Sequence, residues 1–246
     1  MRFALFRRIE ADPVYLDVSH GDQVFRVTLI RRSATRRMTL RVSSATGAVV
    51  LTVPEQVDVA AARRFADAHG GWIAARLARI PARAPFVTGT EIPLRGVPHR
   101  ILQVPQGGAA SARVDPSGEP VIVIPAEASQ VARQVRAFLT REAKRDLAAA
   151  VGRHTNALGT PALGITVRDT RSRWGSCSAR GSLNFSWRLI LAPPFVLDYL
   201  AAHEVAHLKE MNHSPRFWRL AHSLCPHVEE AERWLKRNGA DLHRYG

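Results

Sequence analysis

The sequence is poor in cysteine, lysine and long apolar runs, and each shortage excludes a class of protein. Two cysteines in 246 residues cannot form the framework of a small disulfide-rich protein. No run of 18 apolar residues occurs, so no transmembrane helix is expected. Only four residues separate Arg2 from Arg7, too few for the apolar region of a secretory signal peptide. We therefore expect a cytoplasmic protein with reduced thiols.

The charge is basic and comes almost entirely from arginine. Lysine accounts for 3 of the 35 basic residues, and the formal net charge is +14. Residues 1–159 carry a net +10, and residues 160–246 a net +4. Such a basic N-terminal half can attract phosphate groups, which makes a nucleotide or nucleic acid one partner to consider. Because no aromatic-rich or glycine-rich pattern accompanies the arginines, an ordinary solvated surface is favoured.

Hydrophobic periodicity predicts an α+β protein with two domains. Alternating β-branched segments predict several strands in the first half, and the spacing becomes helical near 57–80. A long amphipathic helix is predicted from Ala128 to about Leu158. We place the domain boundary before it, near residue 125. The expected domains are a strand-rich region over 1–125 and a second domain over 126–246.

The second domain is predicted to combine short strands with three further helices. Strands are predicted near 165–168, 173–177 and 183–191. One helix is predicted to follow Pro193-Pro194, and Ser214-Pro215 has the N-cap and first-position proline of another. A final helix is predicted over roughly Val228–Arg237, before Gly239.

The most informative residues are His203-Glu204-Val205-Ala206-His207, followed by His213. On a helix at about 100° per residue, His203 and His207 lie one turn apart on nearly the same face. Both imidazoles can therefore reach one metal ion. A neighbouring apolar stripe, predicted to seat this helix on the core, consists of Leu197, Ala201, Val205 and Leu208.

The third ligand has to come from outside this helix. His213 is preferred, because Asn212 can turn the chain before it and Ser214-Pro215 starts a helix after it. Glu210 and Asn212 are the alternatives. Three protein ligands leave one position open, which is the arrangement of a catalytic zinc site.

The carboxylate between the two helix histidines suggests a hydrolase. Glu204 lies about 100° around the helix from His203, where it can act on a water rather than bind the ion. It is therefore the candidate general base. Cys177 and Cys225 lack a partner at metal-ligand spacing, so neither is expected to bind the ion.

The segments around the motif carry a family resemblance. These segments are Arg173–Ser178, Gly181, Leu183-Asn184, Tyr199, His203–Leu208, Asn212–Ser214 and Phe217-Trp218. They resemble the YgjP-like metallopeptidase family, zincins related to SprT-like proteases. The resemblance implies a zincin-like domain with a small antiparallel-edged sheet and a Zn²⁺ cofactor. It also implies His203, His207 and His213 as ligands, Glu204 as general base, and a peptide or protein substrate.

In zincin folds an edge strand before the metal helix lines the cleft, and residues 172–177 are its candidate here. An extended peptide can pair with such an edge. The candidate substrate-binding residues, each with a purely structural alternative, are Arg173, Trp174, Gly175, Ser176 and Asn184.

Three functions compete on this evidence. The leading hypothesis is a zinc metallopeptidase of the cytoplasm. A metal-dependent nucleotide phosphohydrolase of the nucleoside triphosphate pyrophosphatase type is the second, although no carboxylate cluster or glycine-rich phosphate loop is present. A zinc-stabilised binding module or a nucleic-acid-associated SprT-like protease is the third.

Overall fold

The chain folds into two compact units, each with its own hydrophobic core. The computed structural model describes residues 14–43, 46–105, 107–170 and 172–246. The units are Met1–Ile80 and Pro81–Gly246. Within the described residues, no helix is both long enough and apolar enough to cross a membrane.

The described residues of the first unit, 14–43 and 46–80, form a four-stranded sheet with two helices. Its elements are β1 (Val14–His20), β2 (Gln23–Arg32), β3 (Thr39–Val42), β4 (Val49–Pro54), α1 (Val59–Ala68) and α2 (Gly70–Leu77). The strand order is β1-β2-β4-β3. Val49, Leu51 and Val53 alternate into the core along β4, as on a sheet with one covered face. The helical pattern predicted over 57–80, with an interruption at Gly70-Gly71, corresponds to two helices that meet at His69.

The second unit begins with another four-stranded sheet. Its strands are β5 (Glu91–Leu94), β6 (Val97–Val104), β7 (Ser111–Val114) and β8 (Pro120–Pro125), in the order β5-β6-β8-β7.

This sheet explains why the division of the chain differs from the sequence expectation. Ile101 and Ile122 share one core with Val135 and Leu139 of the long helix α3 (Val131–Leu158). The helix that starts after residue 125 therefore covers the preceding strands instead of opening a separate core. For this reason the units divide between Ile80 and Pro81.

A small three-stranded sheet follows α3. Its strands are β9 (Gly164–Arg168), β10 (Gly175–Cys177) and β11 (Ser182–Ser186). The strand order is β10-β11-β9, with β10 antiparallel and β9 parallel to β11. Strand β10 thus lies at an antiparallel edge, as predicted from the resemblance.

Three helices complete the fold: α4 (Pro194–Ala206), α5 (Pro215–Leu224) and α6 (Val228–Asn238). Helix α4 is buried on nearly all sides, not only along the predicted stripe. Helices α3, α5 and α6 and strand β10 all contact it, which accounts for the difference. The fold is of the predicted α+β class.

Candidate metal centre

Helix α4 carries two of the predicted ligands at its C-terminal end. The helix begins at Pro194, where a missing N–H costs no hydrogen bond. It ends at Ala206, and His207 is the C-cap residue. The rings of His203 and His207 lie 5.0 Å apart, centroid to centroid, so one helical turn is enough to bring them together.

The structure brings the three predicted histidines into one cluster. One ring nitrogen of each of His203, His207 and His213 lies within 4.8 Å of the others. The Nε2 atoms of His203 and His213 are 3.1 Å apart. Burial, followed by the neighbouring imidazoles, lowers the pKa of His203 to about 4, and burial also lowers the pKa of His207. Neutral imidazoles with free lone pairs are the form that binds a metal.

The loop after α4 holds the cluster in place. His207 Nδ1 donates to the backbone carbonyl of Glu210 at 2.9 Å, which leaves Nε2 as its lone-pair nitrogen. The amide oxygen of Asn212 accepts from the backbone N–H of Ser214 at 3.2 Å. Glu210 and Asn212, the alternative ligands, thus have contacts that shape this loop.

Helix α5 places the ring of Phe217 against the histidine cluster. The sequence had assigned no role to this ring. The hydroxyl of Ser214 accepts from the N–H of Phe217 and caps the helix. The ring of Phe217 then lies 4.8, 4.5 and 4.7 Å from the rings of His203, His207 and His213. It covers the imidazoles with an apolar surface.

Glu204 is buried beside the cluster. It is 5% exposed, and its Oε2 atom has no hydrogen-bond partner among the described residues. Burial raises the pKa of this carboxyl from 4.5 to about 7, against the opposing effect of Arg173. A buried carboxylate oxygen without a partner is a high-energy arrangement that a bound cation or water would relieve.

Strand β10 passes so close to Glu204 that only glycine fits there. A Cβ atom on Gly175 would lie 2.5 Å from Glu204 Oε1 and 2.7 Å from its Cγ. Gly175, predicted as a substrate-binding residue, therefore also makes room for the carboxylate.

An open cavity of about 530 Å³ is lined by residues from strand β10 and the segment before it, from helix α4 and from the loop that follows α4. Three of the five predicted substrate-binding residues line it: Arg173, Gly175 and Ser176. Ser172 and Cys177, the ends of the segment predicted to line the cleft, also line the cavity, together with Met211, which the sequence did not propose.

The other two predicted binding residues lie elsewhere. The ring of Trp174 stacks on His243 at 4.9 Å and packs against the main core of its unit. Asn184 lies on β11 opposite Ser176, one strand in from the edge. Neither is among the described residues that line the cavity, because Trp174 packs against the core and Asn184 lies in the interior strand of the sheet.

The two cysteines have different surroundings. Cys225 is fully buried in the main core, and Cys177 lines the cavity. Burial raises the pKa of both thiols.

Two further polar residues are linked to the cluster, Tyr199 directly and Glu232 through Tyr199. The Tyr199 hydroxyl lies 3.3 Å from His203 Nδ1 and 3.2 Å from Glu232 Oε1. Tyr199 was visible in the sequence one turn before His203, but nothing there pointed to Glu232 on α6.

Comparison with known proteins gives one family. The YgjP-like, metallopeptidase domain matches residues 36–238, most of the chain. Among solved structures, the metallopeptidase zymogen of Pyrococcus abyssi abylysin is similar at 20% identity, with a TM-score of 0.34, over 37% of this chain and 93% of that chain. The comparison with curated proteins gives no match.

Proposed function

The chain belongs to the YgjP-like metallopeptidase family, and from this premise we propose that it hydrolyses peptide bonds with a zinc ion held by His203, His207 and His213. The observation that carries the proposal is the convergence of three imidazole nitrogens within 4.8 Å, beside a buried carboxylate. The metallopeptidase family itself implies a metal ion and a peptide or protein substrate.

The donor set supports zinc over the hard cations. Three neutral imidazoles suit Zn²⁺, whereas Mg²⁺ and Ca²⁺ require mostly oxygen ligands. Zinc at such a site supplies a Lewis acid that polarises a carbonyl and acidifies a water. His203, His207 and His213 would hold it, and the Phe217 ring excludes water from one side of the imidazoles.

Glu204 acts as the general base in this proposal. Burial raises the pKa of this carboxyl, which makes the carboxylate a better proton acceptor than an exposed one. The unpartnered Oε2 atom would take the proton from the attacking water and deliver it to the leaving amide nitrogen. The backbone of β10, at an open sheet edge, would pair with the substrate chain, with Arg173 and Ser176 beside it.

The decisive experiment combines metal analysis with parallel assays of wild type and Glu204→Gln. We expect both proteins to retain one zinc, and the variant to lose at least about a hundredfold in cleavage of an unfolded protein substrate. Glu230→Gln is the matched control, because this carboxylate is exposed on α6 and pairs with His227. Unchanged cleavage in Glu204→Gln would contradict the mechanism.

A nucleotide assay on the same proteins separates the alternative activity. Release of phosphate or pyrophosphate that depends on Glu204, without peptide cleavage, would favour a phosphohydrolase. If chelation unfolds the second unit and no assay responds to Glu204, the zinc-stabilised binding module would be favoured. A cytoplasmic location and a nucleic-acid partner stay predictions from the sequence.

A further inference from the structure

A hydrogen-bonded chain of side chains runs from α6 to the metal helix. Tyr199 lies one turn before His203 on α4 and is only 3% exposed. Its hydroxyl is 3.2 Å from Glu232 Oε1 and 3.3 Å from His203 Nδ1. Glu232 lies on α6, 33 residues after Tyr199 in the chain.

The chemistry of the three groups sets the direction of both hydrogen bonds. An ionised carboxylate only accepts, so the single hydroxyl proton of Tyr199 is donated to Glu232. The Tyr199 oxygen then offers a lone pair to His203, whose Nδ1 must carry the ring proton. The lone pair of His203 is thereby assigned to Nε2.

This assignment agrees with the geometry of the cluster. His203 Nε2 is the atom that lies 3.1 Å from His213 Nε2. His207 is oriented in the same sense, with Nδ1 donating to the Glu210 carbonyl. The two helix histidines therefore have the same tautomer, but a backbone group holds His207 and two side chains hold His203.

We propose that Tyr199 and Glu232 are positioning residues, which hold His203 in the Nδ1–H tautomer with Nε2 directed at the metal. The proposal rests on the metal site of the proposed function. It extends that site to α6, a helix without a ligand. Outer partners of this kind typically account for a tenfold to hundredfold change in metal affinity.

The first test measures zinc affinity by competition with a chelator of known affinity. Tyr199→Phe keeps the buried ring and removes the hydroxyl, and we expect it to weaken binding about tenfold. Glu232→Gln should weaken binding in the same direction. Because Glu232 acts only through the hydroxyl, the double variant should bind no more weakly than Tyr199→Phe alone. Glu230→Gln on the same helix should leave the affinity unchanged.

Affinities of both single variants within twofold of wild type would overturn the proposal. Effects of the two substitutions that multiply in the double variant would also overturn it, since they would show independent actions.

The second test needs neither metal nor activity. Long-range ¹H–¹⁵N NMR spectra of the metal-free protein report which nitrogen of His203 carries the proton. We expect the Nδ1–H form in wild type and a mixture of tautomers in Tyr199→Phe, with His207 unchanged because its partner is a backbone carbonyl. An Nε2–H form in wild type would overturn the assignment, even if the protein proved to be an active peptidase. If the spectra show the Nδ1–H form of His203 but the protein has no peptidase activity, the tautomer assignment is supported. Only the proposed function is then contradicted.

Discussion

The two sides of the cavity are built in opposite ways. The helix side, consisting of His203, Glu204 and His207, belongs to a helix buried on nearly all sides, and Glu204 is 5% exposed. The strand side consists of Gly175 and Ser176, on the edge strand of a three-stranded sheet, and of Arg173 just before that strand, and it is exposed or half-buried. Groups proposed for the chemistry are thus held by the core, whereas groups proposed to meet the substrate remain accessible.

The largest effect is expected where the two sides touch. Gly175→Ala would place a methyl group within 2.5 to 2.9 Å of the Glu204 carboxyl and its Cγ. Since a side chain yields more readily than a sheet backbone, we expect Glu204 to be displaced while the fold survives. Peptidase kcat should fall on the order of a thousandfold, equivalent to about 4 kcal/mol of transition-state stabilisation.

Two further variants make this test specific. Gly152→Ala changes a glycine of α3 with no atom within 4 Å of the new Cβ, and it should leave kcat unchanged. Adding Glu204→Asp to Gly175→Ala shortens the acid and should restore part of the lost activity. If Gly175→Ala keeps wild-type kcat, the close packing of the two sides does not position the base.

The buried helix side also predicts a pH dependence of stability in metal-free protein. Burial raises the pKa of Glu204 from 4.5 to about 7, so in this window the folded protein holds a proton that the unfolded chain has released. The free energy of unfolding therefore falls as the pH rises. His203, with its pKa lowered from 6.5 to about 4, has the opposite effect, because the unfolded chain binds the proton there.

Glu204→Gln removes only the first of these contributions. Its free energy of unfolding should rise more steeply than that of wild type between pH 4.5 and 7, by up to about 3 kcal/mol. Urea unfolding of chelator-treated protein at several pH values measures this difference. Parallel curves for the two proteins would show that Glu204 titrates normally in the folded state.

The smallest effect is expected at the loop that carries His213, the exposed member of the proposed ligand set. Ser214→Ala removes the N-cap of α5 next to His213 and should destabilise the protein by about 1 kcal/mol. Ser214→Thr should recover most of that loss. Ser223→Ala, on the same helix but bonded only to the carbonyl of Leu220, is the control and should cost less. Thermal unfolding of the three variants provides the measurement.

Much of the site was accessible from the sequence because it depends on local geometry. The helical repeat places His203 and His207 together whatever surrounds them. The N-cap serine and proline after His213 start α5 at Pro215, as predicted. The edge position of β10 followed from the family resemblance.

Features that depend on packing were missed or misplaced. The sequence left Trp174 open between a cleft wall and a core position, and its partly buried ring packs against the core and stacks on His243, almost 70 residues later. The boundary expected near residue 125 reflects a real change of pattern, but α3 covers the sheet that precedes it. The hydrophobic pattern shows that a helix begins after residue 125, but it does not show against which strands that helix packs.

The metal-ligand spacing, the general-base candidate and the α+β class follow from residue order, because each depends on short-range periodicity or on a compact motif. Two other features do not follow from residue order. One is the space that Gly175 leaves for Glu204, and the other is the hydrogen-bonded link from Glu232 through Tyr199 to His203. They join residues about 30 positions apart on separate elements, and only the packing of β10 and α6 against α4 brings those atoms within contact distance.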